Sequence, residues 1–245
     1  MRRILTPVIV LAVCVPLSAC GSSSPPKPTT TTSLQSAPRA KLAAMRSAAQ
    51  SQHSVHWVQS SSAPGHKIQI VADVGEKEGM QQITITDHGQ TGHVSTLVSG
   101  DAAYMRGDAL GMRLYYGFSK ANATKYAGKW ISVPSSNPGY PTVSTFLTFP
   151  SFISHLFLPV TNPSLVPRGS LIGVRGTVHG QAGVTVTATV FAPAHGKPLP
   201  VKQTAASSSH LGAGMVTMSD WNEPVHVSAP ANAVPITSIT TVVGG

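Results

Sequence analysis

Histidines and carboxylates are the side chains of this sequence that most readily support metal binding or acid–base chemistry. The 245 residues include ten histidines but only eight aspartates and glutamates. Their spacing matches no H-E-x-x-H, H-x-E or paired-cysteine metal motif, no phosphate-binding loop and no G-x-S-x-G nucleophile turn. His53 and His56 have no carboxylate beside them in the sequence, which favours a structural role at the start of a strand. We therefore expect no metal, no cofactor and no enzymatic activity.

The acidic residues fall mostly in predicted turns, where their side chains commonly bond the local backbone. Asp87-His88-Gly89 is one such turn. Asp220 and Glu223 flank Trp221 in a predicted hairpin corner, and turn chemistry explains these two carboxylates better than a glycosidase pair does. The carboxylates thus give no positive indication of catalysis.

Cys20 is the residue with the most specific predicted chemistry. It follows Leu17-Ser18-Ala19 at the end of an apolar run that begins after Met1-Arg2-Arg3. This pattern resembles the bacterial lipobox, in which a peptidase cuts before a cysteine that carries a diacylglyceryl group. A transmembrane anchor is less favoured because the run is shorter than the roughly 20 residues that span a bilayer, and ordinary secretion remains an alternative. We expect a protein anchored through Cys20 at the extracytoplasmic face of the cell membrane.

The charge pattern excludes one class of partner. The formal net charge is +9, but the lysines and arginines are scattered and form no run, which argues against nucleic-acid binding. A diffuse positive field beside an anionic membrane and a solvated basic surface without a specific partner both remain open.

Composition divides the chain into four predicted segments. Residues 1–19 form the lipoprotein signal peptide, and residues 20–38 form the lipidated cysteine with a Pro/Ser/Thr-rich tether that is too polar to fold. Residues 39–230 form the globular domain, and residues 231–245 form a flexible tail. Cys14 leaves with the signal and Cys20 is acylated, so no disulfide is expected in the mature chain.

Periodicity in residues 39–230 predicts helices and about ten strands. Leu42, Met45 and Ala49 indicate a helix between Pro38 and His53, and helical periods recur over Leu110–Tyr126 and Phe146–Leu158. Short alternating segments predict antiparallel strands before and after these two middle helices. The earlier strands are expected near residues 54–58, 67–71, 82–86, 93–98 and 102–106, and the later ones over 171–178, 184–191, 199–205, 214–218 and 225–227.

One helical stripe is the candidate binding feature. Its apolar residues follow the i, i+3, i+4, i+7, i+8 pattern, with Thr148 able to cap the helix and Pro150 in its first turn. The stripe consists of Phe149, Phe152, Ile153, Leu156 and Phe157. Core packing is the more frequent role of such a stripe, but helices laid over a one-sided sheet can also enclose an apolar ligand.

The order of these segments resembles the LppX/LprG family of actinobacterial lipoproteins. The local matches are Tyr126-Ala127-Gly128-Lys129-Trp130-Ile131 after Ala103-Tyr104-Met105-Arg106-Gly107, the segment from Val186 to Phe191 with Leu199-Pro200-Val201, and Trp221-Asn222-Glu223-Pro224-Val225-His226-Val227. The resemblance covers about residues 40–230.

The resemblance implies an α+β fold in which a strongly curved antiparallel sheet forms a half-barrel, with helices over its concave face, similar to the LolA and LolB carriers. It also implies that a lipid or glycolipid occupies the hollow. No individual pocket residue of the family can be assigned to a position in this sequence. The expected function is a membrane-anchored lipoprotein that binds or carries a lipid or other amphiphile. The alternative is a module that binds another envelope protein and holds no lipid.

Overall fold

The structure is a computed structural model that describes residues 32–157, 160–179, 184–207 and 212–239. The signal peptide, Cys20 and the first part of the predicted tether lie outside the described residues. The helices are α1 Thr32–Gln50, α2 Ala109–Tyr116, α3 Lys120–Tyr126, α4 Tyr140–Ser144 and α5 Phe149–Leu156. The strands are β1 Val55–Ala63, β2 His66–Val74, β3 Gly79–Asp87, β4 Gln90–Ser99, β5 Ala102–Gly107, β6 Ile131–Pro134, β7 Thr161–Arg168, β8 Leu171–His179, β9 Thr185–Pro193, β10 Lys202–Ser207, β11 Ala213–Ser219 and β12 Val234–Pro235.

The strands form one open sheet, in the order β12-β6-β5-β4-β3-β2-β1-β11-β10-β9-β8-β7. Neighbours are antiparallel except for β12, which pairs with β6 in parallel. Pairing of β1 with β11 joins the first run of strands to the second. The predicted α+β half-barrel, a curved antiparallel sheet with helices over its concave face, is confirmed, with twelve strands instead of about ten.

The helices lie on one face of the sheet, which we call the inner face. Phe152 of α5 stacks on Trp57 of β1, and Tyr116 of α2 hydrogen-bonds Thr96 of β4. Strand pairing places Trp57 and Thr96 on the same face, because Trp57 lies opposite Ala72, Ala72 opposite Gln81, and Gln81 opposite Thr96. The hydrophobic core lies between this face and the helices.

The second predicted helix divides into α2 and α3. Asp108 caps α2, since its carboxylate accepts a 2.6 Å hydrogen bond from the Gly111 N–H. Gly117 ends α2 in the left-handed conformation at φ 69°, which glycine adopts without strain. Ser119 then caps α3 through a 3.2 Å bond from the Asn122 N–H. These capping residues therefore divide into two helices a segment whose apolar period is continuous.

Helix α1 begins earlier than the sequence predicts. Residues 32–38, assigned to the tether, are helical, and Pro38 lies inside α1. The prediction treated Pro38 as a helix boundary, because a proline inside a helix lacks an N–H to donate to the preceding turn and its ring crowds the carbonyl there. Pro38 is buried and shares the apolar stripe of Leu42, Met45 and Ala49, so its packing offsets the lost bond and the crowding.

The end of the chain also differs from the prediction. The segment Val225–Val227 forms no strand, because its backbone is held by side chains: the Val227 N–H donates to Glu78 Oε2 at 3.1 Å, and the Ser99 hydroxyl donates to the Val227 carbonyl at 3.2 Å. Within the predicted flexible tail, β12 pairs with β6, and Ile236 and Ile239 are buried. Residues 240–245 lie outside the described part of the chain.

Besides β12, two further strands were not predicted. β6 has only four residues, and β7 contains Pro163 and Pro167. Proline cannot donate to a neighbouring strand, so it lowers the apparent strand propensity and is tolerated at a sheet edge. β7 occupies such an edge.

Candidate functional site

The inner face has a fully covered end. One row of paired residues runs across seven strands, from β11 to β6, and every member is buried. The row consists of Met218, Trp57, Ala72, Gln81, Thr96, Met105 and Ile131. The next row outward, from Val55 through Val74, is equally buried. We call this part of the inner face the covered end.

Helix α5 lies over the covered end and presents its apolar stripe to the sheet. Phe149, Phe152, Ile153, Leu156 and Phe157 are each at most 6% exposed. The Phe152 ring stacks on Trp57 with centroids 5.5 Å apart, and Phe149 meets the edge of Trp221 at 6.3 Å. The structure therefore brings the five predicted residues together in one apolar layer against two tryptophans.

Both ends of α5 are attached to the rest of the domain. The Phe149 N–H donates to the Gly75 carbonyl at 2.7 Å. At the other end, Arg46 of α1 donates to the Phe157 carbonyl at 2.5 Å and stacks over the Phe157 ring, and Gln203 of β10 donates to the Leu156 carbonyl at 3.2 Å. A cation and an amide thus satisfy carbonyls that a helix end leaves free. Thr148 precedes α5 as expected, but its hydroxyl makes no capping bond.

Two indole nitrogens in this layer have no hydrogen-bond partner among the described residues. They are Trp57 Nε1 and Trp221 Nε1, and both are buried. A buried donor without an acceptor costs about 1–3 kcal/mol relative to a satisfied one. The layer around α5 therefore contains two unused, uncharged donors.

A neighbouring polar contact on the inner face is satisfied. Thr96 Oγ1 lies 2.8 Å from the Tyr116 hydroxyl, and both residues are buried. Burial raises the pKa of Tyr116 far above its ordinary value, with Tyr115 beside it adding to the increase. Burial also raises the pKa of Tyr115 to about 12. These hydroxyls stay protonated at physiological pH, so this part of the inner face is neutral.

Toward the other end of the strands, the inner face is only half covered. This end carries the β1–β2 and β3–β4 turns, and we call it the hairpin end. Ile70, which pairs with Gln59, is buried there, but most of the inner-face residues that β1, β2, β10 and β11 contribute are neither fully buried nor fully exposed. They are Gln59, Ser61, Ile68, Gln203, Ala205, Gly214 and Val216. A depression of about 370 Å³ lies on the opposite face of this part of the sheet, where strand alternation places six of its eight lining residues. The six are Ser60, Ser62, Lys67, Gln69, Thr84 and Thr86.

A second depression, of about 190 Å³, lies near the opposite turns and is lined by polar and apolar side chains that include His56, Asp73 and Glu223. His56 Nδ1 lies 2.7 Å from Asp73, and His53 Nδ1 lies 2.7 Å from Glu76. The expectation that these histidines lack a carboxylate neighbour is wrong, because antiparallel pairing brings strand and turn residues about 20 positions apart into contact. Neither depression is lined by the α5 stripe.

Sequence reasoning missed Trp57, Trp221, Arg46 and Gln203. Trp57 lies two residues after Val55, with His56 between them at the start of a strand, which is the pattern of inward-facing side chains. Arg46 and Gln203 carry no such pattern, since their contacts depend on where α5 ends. Cys20, the predicted lipidation site, lies outside the described residues.

No helix in the described part of the chain combines the length and apolar character needed to cross a membrane.

Comparisons with known proteins support the fold. No protein-family model matches the chain, and no curated protein matches its sequence. Among solved structures, it is similar to LprF from Mycobacterium bovis, with 16% identity over 80% of this chain and 98% of that chain, at a TM-score of 0.50. It is also similar to lipoprotein LppX from Mycobacterium tuberculosis, with 20% identity over 78% of this chain and 98% of that chain, at a TM-score of 0.47. The likeness to LprF shows that the chain has an α+β fold of the same kind, as its motifs predict.

Proposed function

We propose that this protein is an envelope lipoprotein that binds a lipid, glycolipid or similar amphiphile between α5 and the inner face of the sheet. One observation carries the proposal: the apolar stripe of α5 covers Trp57 and Trp221, whose buried indole N–H groups have no partner among the described residues. An acyl chain with an ester or hydroxyl group has the chemistry that this layer lacks.

The apolar part of the ligand supplies most of the affinity in this scheme. Acyl chains leave water at about 25 cal/mol per Å² of buried apolar surface. Phe149, Phe152, Ile153, Leu156 and Phe157 are the residues that an acyl chain would contact or displace. Because these side chains already pack against the sheet, entry of a chain requires α5 to move away from Trp57.

The polar part of the ligand is expected to be uncharged where it meets the tryptophans. An indole N–H donates one hydrogen bond and cannot neutralise a charge. The Tyr115 and Tyr116 hydroxyls nearby remain protonated. An ester carbonyl or a hydroxyl therefore fits this layer better than a phosphate, whose charge belongs in the half-covered, polar hairpin end.

Anchorage completes the proposed function. The lipobox around Cys20 places a diacylglyceryl group at the start of the mature chain, on the extracytoplasmic face of the cell membrane. A tethered domain can then exchange a lipid with that membrane. Cys20→Ala is expected to shift the protein out of the membrane fraction while ligand binding is retained; membrane-bound C20A protein would contradict this anchorage.

The test is lipid analysis of the full chain. The protein is produced in an actinobacterial host, extracted in mild detergent, and analysed by native mass spectrometry and by mass spectrometry of extracted lipid. We expect an acyl lipid bound to the wild type and lost in Phe152→Asp. Leu165→Asp, at an exposed position of β7, is the matched control and should keep the lipid.

A fold-preserving variant separates binding from unfolding. Trp57→Phe keeps an aromatic ring against Phe152 but removes the N–H, so it should reduce lipid retention about threefold to tenfold, the equivalent of one hydrogen bond. Trp130→Phe, whose ring stacks under Arg106 away from α5, should have no effect. Lipid-free wild-type protein that co-purifies with a stoichiometric envelope protein would overturn lipid binding and favour the interaction module.

A further inference from the structure

Three potential metal ligands converge at the hairpin end of the sheet. His66 begins β2, Asp87 ends β3, and the two residues are directly paired across the strands. His88 follows in the β3–β4 turn. Both His66 Nδ1 and His88 Nδ1 approach the same oxygen, Asp87 Oδ1, at 2.6 and 2.8 Å. The two imidazole rings meet edge to face with centroids 4.9 Å apart.

The backbone fixes this arrangement. His88 has φ 47°, a left-handed conformation that is uncommon for residues other than glycine, and its N–H donates to the Gly65 carbonyl at 2.8 Å. That bond ties the β3–β4 turn to the β1–β2 turn. The positions of the three side chains thus follow from strand register and turn geometry, and do not depend on the ion pairs alone.

The cluster is accessible to an ion from solvent. The side chains of His66, Asp87 and His88 are 36%, 31% and 74% exposed. One ligand atom from each residue lies within 4.8 Å of the others. The strand alternation puts His66 and Asp87 on the inner face, whereas the neighbouring Lys67 side chain points to the opposite face. The Lys67 ammonium group therefore does not repel a cation bound between His66 and Asp87.

We propose that His66, Asp87 and His88 form a binding site for a divalent transition-metal ion of the zinc class. Two imidazole nitrogens and one carboxylate oxygen form a common protein ligand set for zinc, with bonds of about 2.0–2.2 Å and water in the remaining position. Each imidazole binds the metal through Nδ1 as its neutral tautomer, with the proton on Nε2. The proton that Nδ1 shares with Asp87 in the absence of metal therefore moves to Nε2, and no additional protein group has to accept it. The present N–O separations need to open by roughly half an ångström, which exposed side chains allow.

The other histidine–carboxylate contacts provide an internal comparison. His53 with Glu76 and His56 with Asp73 each bring together two ligands only. Within the described residues, the group at His66, Asp87 and His88 is the one that brings together three. An ion bound there would connect the β1–β2 and β3–β4 turns at the hairpin end, and the site does not depend on the proposed lipid site at the covered end.

The test is zinc binding by the full chain in detergent, purified without a polyhistidine tag and treated with a chelator. Isothermal titration with Zn²⁺ is expected to give one ion per chain, and Co²⁺ is expected to produce the visible absorption bands of a low-symmetry four-coordinate site. His88→Asn, which tolerates the left-handed backbone, and Asp87→Asn should each weaken zinc binding by about tenfold or more.

His53→Asn is the matched control, since it removes an exposed imidazole from a two-ligand pair. It should leave zinc affinity unchanged. Circular dichroism of H88N should match that of the wild type, because the substituted side chain is exposed. An absence of stoichiometric zinc binding, or zinc affinity that is unaffected by both H88N and D87N, would overturn the site and leave the contacts as hydrogen bonds between two turns.

Discussion

The covered end and the hairpin end of the inner face belong to the same strands but differ in their composition. On β1, the inward positions change from Val55 and Trp57 to Gln59 and Ser61. Val55 and Trp57 are buried, whereas Gln59 and Ser61 are half-buried. The helices are placed accordingly: α5 covers Trp57 and leaves the hairpin end partly open.

The two ends of the sheet therefore have different physical roles. The covered end resembles an ordinary protein core, in which close packing and satisfied or neutral polar groups set the stability of the domain. The hairpin end contributes less to the core and keeps polar groups and the His66–Asp87–His88 cluster near solvent. Substitutions of the same chemical type should therefore have different effects at the two ends.

The largest difference is expected for truncation of inward side chains. Trp57→Ala should lower the free energy of unfolding by about 3–5 kcal/mol, because it leaves a cavity under α5. Val216→Ala, at the half-covered end of β11, should cost only about 1 kcal/mol. Urea denaturation of both variants measures the contrast. Equal losses would show that the two ends are packed alike.

A methyl group added at glycine tests the same contrast without removing a contact. A Cβ at Gly79 would collide with the Leu147 carbonyl oxygen in the turn before α5, so Gly79→Ala should cost about 1–3 kcal/mol. A Cβ at Gly214 would lie 3.6 Å from the nearest atom, Ser61 Cβ, which is ordinary contact. Gly214→Ala should leave the melting temperature nearly unchanged, and a large decrease would contradict the openness of the hairpin end.

Removal of a hydroxyl should also distinguish buried from exposed positions. Thr96→Val deprives the buried Tyr116 hydroxyl of its partner at 2.8 Å and should cost about 1–2 kcal/mol. Thr84→Val removes an exposed 3.3 Å contact to His93 and should cost less than about 0.5 kcal/mol. Denaturant titrations at neutral pH compare the two. A loss at Thr84 that matched the loss at Thr96 would argue against the assigned burial.

The smallest effect is expected from alkaline pH. Burial raises the pKa of Tyr116 above the value near 10 of an unfolded chain, so the folded state holds its proton more tightly. The contribution of Tyr116 to stability is present below pH 10 and is lost as the pH rises above 10, where the unfolded chain ionises. The slope of unfolding free energy against pH between 9 and 11 should be less steep in Tyr116→Phe. An unchanged slope would indicate that Tyr116 is accessible to solvent.

Local sequence patterns predicted much of the fold because a helix or strand with one buried face needs apolar residues at a fixed spacing. The alternation in β2, β3 and β9 and the helical stripe of α5 each require one buried face, and the period of apolar residues reports that face directly. The same period placed the five apolar residues of α5 on one face of the helix. Prediction from local patterns failed where tertiary contacts outweighed the usual effect of proline. Pro38 lies within a helix because it packs against the core, and the prolines of β7 are tolerated because β7 is an edge strand.

The residues alone predicted antiparallel strands interrupted by helices, the motif at Cys20 and the side chains available for chemistry, and the family resemblance added the curvature of the sheet. Which side chains meet depends on tertiary packing. Strand register places His66 against Asp87, 21 positions later in the chain. Packing of Phe146 and Phe152 against Trp57 and of Phe149 against Trp221 accompanies two buried indole nitrogens without partners among the described residues. Neither contact has a sequence signature, because long-range pairing depends on the summed packing of the whole sheet and not on the spacing of the residues that it joins.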